Sequence, residues 1–130
     1  MDKTPLVRDE IEAGEEFIKK MNDYRPVKAA CWLRSSDDEE RYLHVARDGL
    51  TARNAGLAYV EVLRIEGELK DHYLDPFRIK LIGTDDPLAR AVVEVYRRYP
   101  GRSSSQFHAP VLGGVPVAEV YIYYLDSEKP

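Results

Sequence analysis

The apolar positions of the chain follow two rhythms that alternate along its length, one of three to four residues and one of two. Val7, Ile11, Ile18 and Met21 form a first stripe, broadened by Leu6 and Phe17, while Glu10, Glu12, Glu15, Glu16, Lys19 and Lys20 fill the other faces. This spacing predicts a helix over 5–24, capped by Thr4 with Pro5 in its first turn, lying on a core with one side in water. Pro26 ends it. Over 27–34 the period drops to two, with Val27, Ala29, Cys31 and Leu33 alternating with Lys28, Ala30, Trp32 and Arg34, as in a half-buried strand. A second strand over 41–47 follows the polar connection Ser35-Ser36-Asp37-Asp38-Glu39-Glu40.

Beyond Asp48-Gly49 the helical spacing returns in Ala55, Ala58, Val62, Ile65 and Leu69. This second helix begins between Thr51 and Ala55, and Gly56 and Gly67 each weaken it by about 1 kcal/mol relative to Ala. A strand over 77–82 sets Phe77, Ile79 and Leu81 against Arg78, Lys80 and Ile82. Asp86-Pro87 starts a third helix through Leu88, Val92, Val95 and Tyr99, which Pro100-Gly101 stops. The segment 102–116, with Ser103-Ser104-Ser105, Pro110 and Gly113-Gly114, reads as a long connection before a last strand over 117–125. The order α-β-β-α-β-α-β, with one hairpin and two crossovers, predicts a single α+β domain over 1–130. It is built on a mixed four-stranded sheet with helices mainly on one face.

Composition narrows the class without naming a function. At 130 residues, 44% hydrophobic and 32% charged, the chain is an ordinary globular domain, large enough to fold without metal or disulfide. The single Cys31, set in Ala29-Ala30-Cys31-Trp32-Leu33, reads as a buried thiol in a reducing compartment. A polar start and no apolar run long enough to span a bilayer point to the cytoplasm and away from a membrane. A net charge of −4 argues against wholesale electrostatic binding of DNA but leaves room for a local basic face. Dinucleotide and P-loop fingerprints, zinc-protease and hydrolase motifs and paired Cys-x-x-Cys are absent, so no cofactor is implied. One Cys and three dispersed His imply no metal site. Asp71-His72-Tyr73 reads as an ordinary turn, and the acidic run at 37–40 as a solvated hairpin tip.

Two features rise above this background. If the apolar rows of the strands, with Ala118, Val120 and Ile122 in the last, face the helices, the alternate residues face outward. These are Lys28, Trp32, Arg34, Tyr42, His44, Arg78, Lys80, Glu119, Tyr121 and Tyr123. A basic, aromatic face suits a protein partner or a second copy of the chain, with Trp32, Tyr42, Tyr121 and Tyr123 as anchors. It also suits single-stranded nucleic acid, whose bases stack on rings and whose phosphates meet Lys and Arg. The reading requires an offset or bulged hairpin, because direct pairing of Arg34 with Arg41 would set Trp32 beside Leu43. The second feature is the 102–116 segment, where Arg102, Ser104 and His108 could serve a small hydrolase or nuclease, with His108 as general base. The balance favours a small interaction or accessory protein over an enzyme.

Overall fold

The computed structural model describes residues 8–69, 74–101 and 103–125. Thr4, Pro5, Leu6, Val7, the Asp71-His72-Tyr73 turn and Arg102 lie outside the described residues. Helix α1 spans Arg8–Tyr24, followed by β1 (Val27–Ser35), β2 (Tyr42–Arg47) and α2 (Ala55–Leu69). A short 3-10 turn over Pro76–Arg78 leads into β3 (Ile79–Gly83), then α3 (Pro87–Arg98), β4 (Ser105–Gln106), β5 (Val111–Leu112) and β6 (Val115–Tyr123). The two aspartate-proline pairs both act as starts. Asp75 accepts from Phe77 N and Asp86 from Leu88 N, each at 2.9 Å, with proline opening the turn that follows.

The strands form a mixed sheet in the order β3-β2-β1-β6-β4, and β5 pairs with the first residues of β6. Only β2 and β3 run parallel, joined by α2. The domain is α+β with three helices, as the sequence predicts, but its sheet has six strands instead of four. The two extra strands come from the segment expected to be a loop. Ser105 faces Ile122, Gln106 faces Tyr121, Phe107 N donates to Val120 O, Val117 N to Pro110 O, and Leu112 faces Val115. These pairs keep one register, so β4 and β5 are a single arm folded back on β6 around Gly113-Gly114. Both glycines have positive φ, 60° and 81°, as a two-residue type I′ turn requires. β6 is therefore an inner strand.

Two helices share one face of the sheet, and the third covers the other. Phe17 and Met21 of α1 and Ala58, Val62 and Ile65 of α2 pack with Ala30, Trp32, Leu43, Val45, Ile79, Leu81 and Tyr123. Leu88, Ala89, Val92, Val95 and Tyr96 of α3 pack with Ala29, Cys31, Leu33, Ala46, Val120 and Ile122. The central strand is thus buried on both sides over 29–33. The hairpin takes the direct register, Trp32 opposite Leu43, and its bulge lies at the far end, between Val27 and Ala29. That bulge turns Val27 to the α1/α2 side and Ala29 to the α3 side. Tyr96 ties the layers together: its hydroxyl donates to Tyr123 O at 2.7 Å and accepts from Ala30 N at 3.4 Å, where these two strands meet.

Candidate functional site

The outward aromatic-basic row does not exist as one surface. Trp32 and Tyr123, expected as anchors, are each 3% exposed and lie beneath α1. Trp32 Nε1 donates to Tyr123 Oη at 2.9 Å, and that hydroxyl donates to Ile11 O at 2.6 Å. Gly14 of α1 sits directly on the pair. A Cβ there would stand 2.5 Å from Tyr123 Oη and 2.8 Å from Trp32 Nε1, so the missing side chain is what lets the helix approach. Tyr121 is half-buried, its ring edge-on to Tyr123 at 5.2 Å.

The cations are dispersed and engaged. Arg34 lies 4.0 Å from Glu119, which also holds Arg41 at 3.2 Å, and Arg41 reaches Glu10 of α1 at 2.8 Å. Lys28, in the bulge, is 3.9 Å from Asp48, and Arg78 pairs with Glu40. Lys80 is exposed and lies over the Tyr42 ring at 4.2 Å on the α3 side of the sheet. His44 stands between Cys31 and Lys80 in register. Burial and then Lys80 push its pKa down to about 4, against smaller opposing effects of a Tyr42 backbone hydrogen bond and of Asp86. The imidazole is therefore neutral at pH 7. Two further residues expected to face the core do not. Phe77 falls in the 3-10 turn and is 85% exposed, and Ala118 is exposed where the β1–β6 register shifts.

Cys31 is buried among the α3-side residues, and desolvation pushes its thiol up to about 12. The native protein is expected to label with a thiol reagent only at its rate of opening. Fast stoichiometric labelling without denaturant would contradict that placement.

Of the hydrolytic candidates, Ser104 and His108 are not brought together, and Arg102 lies outside the described residues. Ser104 Oγ accepts from Tyr124 N at 2.7 Å and so anchors the start of the arm. His108 is exposed farther along the same arm, and four residues of extended chain separate the two by roughly 13 Å. A nucleophile and its base need hydrogen-bond contact. Among the described residues no group of three His, Cys, Asp or Glu is placed to hold a metal, and no helix is long and apolar enough to cross a membrane.

Two other places stand out. α2 is apolar on both sides: it buries Ala58, Val62 and Ile65 yet exposes Leu57 (74%), Val60 (58%) and Leu63 (53%). The signal was present in the sequence as apolar residues off the buried stripe. Gly56, Val60, Leu63 and Gly67, spaced 4, 3 and 4 apart, line the outward face, and a Cβ on either glycine would meet nothing within 4 Å. The other place is a hollow of about 320 Å³ where the end of α1, the end of β2 and the start of α2 converge, with Arg25 and Arg47 on its wall. Nothing in the hydrophobic pattern singles out Arg47. No family model, curated protein or solved structure matches the chain.

Proposed function

We propose that this chain is a non-catalytic interaction protein whose working surface is the outward face of α2 and whose partner is a second copy of itself. The observation that carries the reading is the pair of glycines. An exposed glycine within a helix costs up to about 1 kcal/mol relative to alanine, and among the described residues nothing needs the space left open at Gly56 or Gly67. Close approach of another helix does need it.

The spacing of the stripe is the same in both directions. An antiparallel pairing about a two-fold axis sets Gly56 against Gly67 of the other copy and Val60 against its Leu63. This is the self-complementarity that a closed dimer requires. Leu57, and Tyr24 alongside it, extend the apolar area, with Arg64 over the Tyr24 ring at 5.0 Å. A specific interface needs about 1,000 Å² in all, so Leu57 and Tyr24 contribute beside the stripe. The reading keeps the partner class that the sequence suggests and moves its surface from the sheet to a helix. The one thiol, buried, suits a reducing compartment, and we place the protein in the cytoplasm.

Sedimentation is expected to show wild-type dimers that dissociate on dilution. Leu63→Glu is expected to be monomeric with stability within about 0.5 kcal/mol of wild type, as for an exposed position. A Gly56→Ala, Gly67→Ala variant is expected to weaken association while gaining about 1–2 kcal/mol of helix stability in the monomer. A wild type that stays monomeric at millimolar concentration, or a Leu63→Glu chain that still dimerises, refutes the reading.

A further inference from the structure

Arg47 closes β2 at the inner wall of the hollow, only 6% exposed, and its buried Nε has no hydrogen-bond partner. A buried donor without an acceptor costs free energy, so the orphaned Nε of Arg47 calls for an explanation. Arg25, from the turn after α1, lines the same hollow. No ion pair engages either arginine among the described residues.

The two acids on the wall are already held. Asp48 lies 3.9 Å from Lys28 and accepts from the Thr84 hydroxyl at 2.8 Å, while Glu61 pairs with Arg64 at 3.0 Å and with the Tyr24 hydroxyl. The positive charge of the two arginines is therefore left over. Burial, and then Arg25, lower the pKa of Arg47, with Glu61 offsetting part of the effect.

The third wall adds donors. Asn54, at the start of α2, turns its side chain back, accepting from Thr51 N at 2.8 Å and donating to Gly49 O at 2.7 Å. Its side chain therefore leaves the first-turn amides of this 15-residue helix uncapped. A helix N-terminus with free amides, beside a buried arginine that makes no ion pair among the described residues, is the arrangement that receives an oxyanion. Leu57, Ala58, Val60 and Tyr24 supply apolar surface on the rest of the wall, in a volume at the small end of ligand pockets.

We infer that this hollow binds a small organic phosphate, with the phosphate on Arg47, Arg25 and the start of α2, and the organic body against Leu57 and Val60. The site shares Leu57 and Val60 with the pairing face of α2, so the titration is also run on Leu63→Glu, where saturation reports phosphate binding whether or not the chains pair.

Titration of the wild-type protein with phenyl phosphate, at constant ionic strength against chloride and followed by amide NMR, tests it. Gly49, Asn54 and Leu57 should show saturable shifts. Inorganic phosphate should bind more weakly and acetate should give no saturation. Arg47→Met should abolish the response. Arg25→Gln, an exposed position that keeps the test valid should Arg47→Met fail to fold, should weaken it about tenfold. Absence of saturation, equal affinity for phenyl and inorganic phosphate, an equal response to acetate, or an unchanged response in Arg25→Gln would overturn the assignment.

Discussion

Trp32→Ala is expected to lower the unfolding free energy by about 3–5 kcal/mol, the range for removing a large aromatic ring from a packed core. A domain of this size has about 5–15 kcal/mol in total, so the variant will be largely unfolded by modest urea. The loss has two sources. The indole packs between β1 and α1, and its Nε1 donates to a Tyr123 hydroxyl that in turn holds Ile11 O of the helix. Trp32→Phe separates them: it keeps most of the packing and removes the donor, with an expected cost of about 1–2 kcal/mol. Because Trp32 is the chain's sole tryptophan, both titrations are best followed by far-UV circular dichroism. At an open sheet face the alanine variant would stay within about 0.5 kcal/mol of wild type, and that result would remove the ring from the core.

Gly113→Ala is expected to cost about 3–5 kcal/mol, against about 1–2 kcal/mol for Gly114→Ala beside it. Both glycines have positive φ, so a side chain at either pays the left-handed strain. They differ in what surrounds them. A Cβ on Gly113 would lie 2.6 Å from Leu88 Cα and 2.7 Å from both Leu88 N and Pro87 O, backbone at the start of α3 that cannot swing aside, whereas one on Gly114 meets nothing within 4 Å. The turn is thus wedged against α3, and the methyl group would lift the hairpin off the helix that Leu112 and Val115 help to cover. Equal midpoints for the two variants in thermal melts would show that the contact is not made.

The positions of the helices and of the four longer strands were legible because each combines a clear period with a clear stop, such as Asp86-Pro87 ahead of α3 and Pro26 after α1. The β4–β5 arm has no strand period of its own, although Val111-Leu112-Gly113-Gly114-Val115 is a hairpin signal. Serines, His108 and Pro110 lack strand propensity, and the arm is extended because β6 offers a register to pair with. The candidate binding row failed at Ala30. Alanine suits either face, so an alternation that treated Ala30 as outward placed Trp32 outward with it. The uncharged run at 29–33 was the better guide to a strand covered on both sides.

What the sequence determined by itself was local: where the chain turns, where it caps, which stretches are helical, that one thiol is buried, and that the architecture is α+β. The choice of face was tertiary. Strand periodicity states that neighbours point apart but not which side meets which helix, and a single bulge at Lys28 reverses that assignment for the end of β1. The same reason governs Arg47 and Gly56. A charge at a strand end and a glycine in a helix look unremarkable in sequence. Only the convergence of α1, β2 and α2 leaves the Arg47 Nε without an acceptor, and only the packing of α2 by its opposite side leaves the glycine facing open space.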